Sequence, residues 1–241
     1  MNKLLVAVIA YNEEKNIQNT IKDLERNNFG YDIIVIDNGS IDKTKEICEK
    51  LEVNVISHCI NSDINGTWKT YFLYAYMNNY DIVCQFDGDG QHIASELPKI
   101  INSALRGEAD LIIGSRFIEK KGFQSFFLRR MGIIFFSRIL SLILGYKIKD
   151  VTTGFLAFNW KVISFFAKYY KQDHNQTHLL THLSGAKMKE VPVLMSGRKH
   201  GKSLFNFVNS IAFPFNGIVN IIGCLLLKNQ IKREWVNKNE F

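Results

Sequence analysis

Short apolar runs alternate with longer amphipathic stretches through the first half of the chain. Residues 4–10 are almost uninterruptedly apolar and read as a strand. Residues 13–27 read as a helix, with Asn12 placed to cap it and Glu13 and Glu14 in its first turn. Further strands are predicted at 32–36, 53–57, 82–86 and 111–113. The helices between them open at Ser40 or Asp42 and run to Lys50, then cover 66–79 and 95–105. Alternation at this spacing predicts an α/β fold, with a mostly parallel sheet flanked by helices on both faces.

Three of these strands end in polar clusters: Tyr11-Asn12-Glu13, Asp37-Asn38-Gly39-Ser40, and Asp87-Gly88-Asp89-Gly90-Gln91. Parallel strands would gather all three on one edge, where open α/β sheets bind ligands. Taken singly, each cluster is also a helix cap or a turn. Asp87 and Asp89 need a reason to coexist, because close carboxylates repel. A hard divalent cation, Mg²⁺ or Mn²⁺, supplies one, since it takes oxygen ligands and is commonly shared with phosphates. Gly88 and Gly90 would leave room for a diphosphate. No GxGxxG follows the first strand and no GxxxxGK[ST] occurs, which disfavours dinucleotide-binding and P-loop enzymes.

Composition adds the compartment and the partners. With 46% hydrophobic residues, 241 positions supply a full core, and three prolines without a low-complexity tract leave little room for linkers. Cys48, Cys59, Cys84 and Cys224 show no CxxC spacing. Cys84, in the proposed central strand, reads as a reduced core thiol of a cytosolic protein. The N-terminal run leads straight into Tyr11-Asn12-Glu13 and reads as a first strand rather than a signal peptide. The net charge of +7 is uneven: residues 116–149 hold eight basic side chains against Glu119 alone, and the tail adds Lys228, Lys232, Arg233 and Lys238. Such patches suit an anionic membrane surface or a phosphorylated substrate. Nucleic acid is disfavoured, because the basic residues are not interleaved with aromatics.

The second half holds two apolar segments. Residues 129–145 form a predicted helix with a polar stripe of Arg130, Ser137, Arg138 and Ser141, either buried or lying in a membrane interface. Residues 211–227 are broken by Pro214, Asn216 and Asn220 and fall short of a bilayer span. A membrane-surface helix pair, or one that forms a homo-oligomer, fits them better.

The ordered motifs carry a resemblance. They stand here as Ala10-Tyr11-Asn12-Glu13-Glu14, Asp37-Asn38-Gly39-Ser40-Ile41-Asp42-Lys43-Thr44, Asp87 to His92, Gly114-Ser115-Arg116, Asp150 with Thr153-Gly154-Phe155, and Val191-Pro192-Val193 followed by Arg198 and Gly201-Lys202-Ser203. The chain resembles family 2 glycosyltransferases, closest to the dolichyl- and polyprenyl-phosphate sugar synthase group. That resemblance implies a GT-A, Rossmann-like domain over 1–203 and a C-terminal apolar, basic helical extension over 204–241. It implies that Ala10, Tyr11 and Glu13 line base and ribose, that Asp37 contacts the base, and that Asp87 sits near ribose and diphosphate. Asp89 would ligate the metal, with Gln91 helping to hold it.

One departure matters. Many members carry a carboxylate where this chain has Gln176, and glutamine cannot take a proton. His174, His178 and His182 lie nearby, but no third acidic or cysteine ligand supports a zinc site there. A lipid phosphate acceptor is already ionised and needs no base, only cations to bind and orient it. Arg116, Arg129, Arg130, Arg198 and Lys202 are the available set. With a hydroxyl acceptor, Asp150 is the candidate base. The reading is a metal-dependent inverting transferase moving a sugar from a nucleotide-diphosphate sugar to a polyprenyl phosphate, cytoplasmic and peripheral at the inner face of the cell membrane. Alternatives are transfer to a hydroxyl of a glycan or lipid-linked saccharide in polysaccharide assembly, a sugar nucleotidyltransferase, and a non-catalytic binding module.

Overall fold

The structure, a computed structural model, describes residues 2–122, 127–169, 177–198, 200, 207–226 and 228–229, with backbone only at 127–129, 169 and 207–216. Seven strands form one sheet: β1 (Leu4–Ala10), β2 (Tyr31–Asp37), β3 (Asn54–Ser57), β4 (Ile82–Asp87), β5 (Leu111–Ser115), β6 (Leu156–Asn159) and β7 (Met188–Pro192). Their order across the sheet is β3-β2-β1-β4-β6-β5-β7. All pairings are parallel except those of β6, which runs against both β4 and β5.

The helices are α1 (Ile17–Arg26), α2 (Thr44–Lys50), α3 (Asp63–Met77), α4 (Leu97–Leu105), α5 (Phe127–Leu144), α6 (Trp160–Tyr169), α7 (Thr177–Leu183) and α8 (Phe207–Leu226). Period-two alternation divides the strands between two cores. Leu5 and Ala7 of β1 pack with Phe72, Phe158 and Phe166 on one face. Leu4, Val6, Val8 and Ala10 pack with Ile17, Ile21 and Phe86 on the other. Phe72 anchors the first core, stacked on Phe166 at 4.7 Å and edge-on to Phe158 at 4.9 Å.

Several expected boundaries move. Helix α1 starts at Ile17, four residues later than its pattern suggested, and Asn12 does not cap it. Asn12 adopts a left-handed backbone (φ 54°), and its Oδ1 accepts the Ile41 N–H at 2.9 Å. The asparagine therefore ties the loop after β1 to the loop after β2. Two more bonds lace the same loops: Asn12 N–H to Ser40 Oγ at 2.9 Å and Glu13 N–H to Thr44 Oγ1 at 2.8 Å. Local propensity pointed to a cap, and the long-range partner won.

The polar stripe expected on α5 is divided between two faces. Ser137 and Ser141 face inward, where both hydroxyls donate to the Ile148 carbonyl. Met131, Ile134, Phe135 and Leu142 are exposed instead, on the face that carries Arg138. Helix α8 packs against α5 and exposes Val219, Ile222, Leu225 and Leu226. Among the described residues, no helix is long and apolar enough to cross a membrane.

Candidate active site

Parallel pairing brings the three polar clusters to one edge. Ala10 is level with Asp37 across β1 and β2, and Ile9 with Asp87 across β1 and β4. Strand β6 brings a fourth segment there, because it runs the opposite way. Its leading turn, Thr153-Gly154-Phe155, lies at the ligand edge rather than beneath the sheet. A Cβ on Gly154 would sit 2.8 Å from Asp87 Oδ1 and 2.9 Å from Gln85 Nε2. Only glycine lets this turn press on the Asp87 carboxylate.

The glycines beside the acids differ in purpose. A Cβ at Gly88 would meet the Ile9 carbonyl at 3.0 Å, so that glycine serves packing against β1. Gly90 has φ 76° and open space where a Cβ would be.

The acids form a strained electrostatic group. Desolvation pushes the Asp87 carboxyl up to about 6, against the lowering influence of Gln85, Arg116 and Arg198. Asp89 is raised as well, first by desolvation and then by the neighbouring Asp87 charge. Its Oδ1 accepts the Gln91 N–H at 3.0 Å. Glu13 is buried and likewise raised by burial, partly offset by the Asn16 amide, which donates to Oε2 at 2.6 Å. The Arg198 guanidinium closes the group: its Nη2 donates to Glu13 Oε1 and lies 3.5 Å from Asp89 Oδ2.

His92 is a site residue whose role the sequence did not disclose. Its Nδ1 accepts the Asp87 N–H at 2.9 Å, which places the ring proton on Nε2, 3.4 Å from Asp87 Oδ2. Burial holds its pKa down to about 4, so the ring is neutral and orients Asp87 without adding charge. It stacks on Phe155 at 4.6 Å. Gln85 is the second such residue: its Oε1 accepts from Tyr71 Oη at 3.2 Å, and its amide supports Asp87. The signal for both was position alone, within the strand that leads to the acids and one residue past the Asp87–Gln91 cluster.

A second group lies at the end of β5. Arg116 Nε and Nη2 grip the two oxygens of Asp150, each at 2.7 Å, and the Arg116 N–H reaches Oδ2 at 3.1 Å. Arg116 Nη2 also donates to Thr152 Oγ1 at 2.9 Å. Asp150 is fully buried. The Glu190 carboxylate on β7 accepts the Asp150 N–H at 2.8 Å and the Lys149 N–H at 3.0 Å, which fixes the segment from below. Arg130 lies face-on to the Phe117 ring, 3.3 Å from its centroid, with Arg116 at 5.0 Å from the same centroid. The Arg130 Nη1 is buried with no hydrogen-bond partner among the described residues. Burial lowers its pKa, with the Arg116 charge acting the same way and the Asp150 charge opposing it.

Of the remaining candidates, Ala10 is buried and Tyr11 half-buried at the end of β1, and Asp37 is buried with Oδ1 accepting the Ser40 N–H at 3.2 Å. Gln176, His174 and Lys202 lie outside the described residues, as does the side chain of Arg129. His178 is buried on α7. Among the described residues, no three His, Cys, Asp or Glu side chains are placed to hold a metal. The donors at Asp87, Asp89 and Gln91 fit a hard cation whose shell a ligand's oxygens complete. Two desolvated carboxylates that repel one another, with a guanidinium as counter-charge, are chemically compatible with such a cation.

Acids at the ends of β1, β2 and β4, with β6 reversed between β4 and β5, define a GT-A glycosyltransferase fold. Residues 5–166 match Glycosyl transferase family 2, and the chain belongs to that family. It is 32% identical to an uncharacterized protein of Methanocaldococcus jannaschii over 80% of this chain and 81% of that one. It is 30% identical to UDP-N-acetylglucosamine–dolichyl-phosphate N-acetylglucosaminyltransferase of Methanococcus voltae over 73% of this chain and 77% of that one. Among solved structures, glucosyl-3-phosphoglycerate synthase from Mycobacterium tuberculosis, in complex with Mn²⁺, UDP and glucosyl-3-phosphoglycerate, superposes with a TM-score of 0.66 at 14% identity, covering 92% of this chain and 80% of that one.

Proposed function

We propose that this glycosyltransferase moves a sugar from a nucleotide-diphosphate sugar to a polyprenyl phosphate, with inversion at the anomeric carbon. The observation that carries the acceptor is the ring of Phe117. Two guanidinium groups lie over it, and among the described residues the carboxylate paired there, Asp150, is spent on Arg116. One positive charge is left for an incoming anion. A phosphate monoester fits, since arginine binds two of its oxygens through a planar fork. Arg116 is the second phosphate ligand, held in place by Asp150, with Lys202 as a further cation of the set.

The donor reading rests on the opposite group. Glu13 and Tyr11 take the ribose, Asp37 the base, and Asp87 the ribose and diphosphate side. Asp89, with Gln91, would hold Mg²⁺ or Mn²⁺, which offsets charge on the departing diphosphate. The relative from Methanococcus voltae is named for a dolichyl-phosphate acceptor, and the Mycobacterium tuberculosis structure holds Mn²⁺ and UDP. Both names support this reading. An ionised acceptor also suits the state of Asp150, whose oxygens are both engaged. Transfer to a hydroxyl would ask for a carboxylate open to the cleft.

The test is incubation with a panel of nucleotide sugars, Mn²⁺ and a polyprenyl phosphate. Acceptor-dependent release of a nucleoside diphosphate is expected. Pyrophosphate release would instead mean a nucleotidyltransferase, and release with a free glycan but not the lipid would move the acceptor to a hydroxyl.

A lipid acceptor places the enzyme at the inner face of the cell membrane. The exposed stripes of α5 and α8 suit that surface, because no acid occurs between Glu119 and Asp150 or between Glu190 and Glu234. Pairing these faces with a second copy would set Arg138 and Lys228 against cations, whereas anionic headgroups neutralise them. Partitioning onto anionic vesicles is expected, weakening as salt rises. Equal recovery in the supernatant with and without vesicles would count against it.

A further inference from the structure

We infer that Arg198 is a placeholder for the divalent cation, occupying its seat until metal and nucleotide diphosphate enter together. The inference rests on the donor reading above and adds an order to it. Arg198 Nη2 donates to Glu13 Oε1 and stands 3.5 Å from Asp89 Oδ2, so one guanidinium bridges the acids at the ends of β1 and β4. Asp89 Oδ1 accepts the Gln91 N–H, and Oδ2 is the oxygen that meets the guanidinium. The arginine thus stands at the oxygen a metal would use.

The root of this arginine is fixed. Met195 pairs with His92 in an isolated antiparallel bridge, and the Ser196 N–H donates to the Gln91 carbonyl at 2.8 Å. The Leu194 N–H donates to Glu96 Oε2 at 2.9 Å. On the far side, the Asn16 amide donates to the His200 carbonyl at 3.3 Å, and the same amide serves Glu13. The loop after β7 is therefore bonded to the loop after β4 and to the entrance of α1. The long arginine side chain, rather than the loop, is the part that yields.

Charge sets the order of entry. Without a ligand, Glu13, Asp87 and Asp89 crowd one edge, and Arg198 bridges two of them as a counter-charge. A bare dication must displace a cation from the carboxylates that hold it, and the two would repel at a few ångströms. A dication arriving with a diphosphate brings the guanidinium a new partner, because phosphate oxygens accept its fork. Metal and nucleotide then bind cooperatively, and by linkage each strengthens the other by the same factor. The protein would hold little metal at rest and take it up with the donor.

Manganese binding followed by electron paramagnetic resonance tests this without any turnover. Wild-type protein is titrated with Mn²⁺ alone and with Mn²⁺ plus UDP, beside Arg198→Gln and Arg198→Lys. Wild type is expected to bind Mn²⁺ about tenfold more tightly with UDP than without, the size expected from one partly screened charge at this distance. Arg198→Gln is expected to bind Mn²⁺ alone about tenfold more tightly than wild type, with a reduced response to UDP. Arg198→Lys, which keeps the charge, should stay near wild type. Equal affinity of wild type and Arg198→Gln for Mn²⁺ alone overturns the placeholder, and so does wild-type affinity indifferent to UDP. Failure of wild type to take up Mn²⁺ even with UDP is a different result: it removes the donor reading of this edge, and the placeholder with it.

Discussion

Asp89→Ala is expected to lower sugar transfer by about a thousand-fold while leaving the protein folded. The two halves of that expectation have one cause. Asp89 stands in a desolvated edge beside Asp87, and both effects raise its pKa. A group whose charged form is disfavoured by folding adds nothing to stability at neutral pH through that charge. Taking it away relieves repulsion with Asp87, so the melting temperature should equal or exceed that of wild type. On the proposed function the carboxylate is kept against this tendency for the cation, the usual exchange of stability for function. Rates of nucleoside diphosphate release, Mn²⁺ affinity in the presence of UDP and thermal denaturation are the measurements. Wild-type transfer and wild-type Mn²⁺ binding in the variant would leave the proposed chemistry without a location.

Much of this edge is legible in the order of residues alone. Residues 4–10 and 82–86 are apolar with almost no interruption because β1 and β4 are covered on both faces, and such runs announce buried strands. Once those strands are parallel, the polar residues that follow them must share an edge. That is why Asp37, Asp87 and Asp89 could be expected to share one edge, whereas the donor roles given to them come from the family resemblance. What escaped were the partnerships. Arg198 meets Glu13 across 185 positions and Arg116 meets Asp150 across 34, and no local period encodes either. The insertion of β6 between β4 and β5 escaped for the same reason, since sheet order is settled by packing rather than by strand propensity. On α5, periodicity correctly marked Ser137 and Ser141 as one face but could not say which way it turned. The Ile148 carbonyl decided that, by offering the two hydroxyls a buried acceptor.

Asp150→Ala should cost about 3–5 kcal/mol of stability, because it strands the buried Arg116 guanidinium without its carboxylate. Arg116 is 6% exposed and Asp150 0%, so water cannot replace the lost oxygens. The Arg116 N–H would lose its acceptor as well. Asp150→Asn should fall between, since the amide oxygen can still accept from the backbone N–H while the charge is gone. Both variants should also weaken binding of the acceptor phosphate, because Arg116 is aimed by Asp150 and Arg130 is spaced from it by the Phe117 ring. A proton acceptor would behave differently. Its replacement by asparagine would leave the denaturation midpoint and the affinity for the lipid phosphate at wild-type values and abolish turnover alone. Chemical denaturation of both variants, with acceptor titrations beside the transfer assay, therefore separates the two roles. A stable, acceptor-binding but inactive Asp150→Asn enzyme would return Asp150 to the position of base and point to a hydroxyl acceptor. A destabilised enzyme with weakened phosphate binding makes Asp150 the clamp that keeps one arginine in place, with Arg130 left to meet the incoming anion.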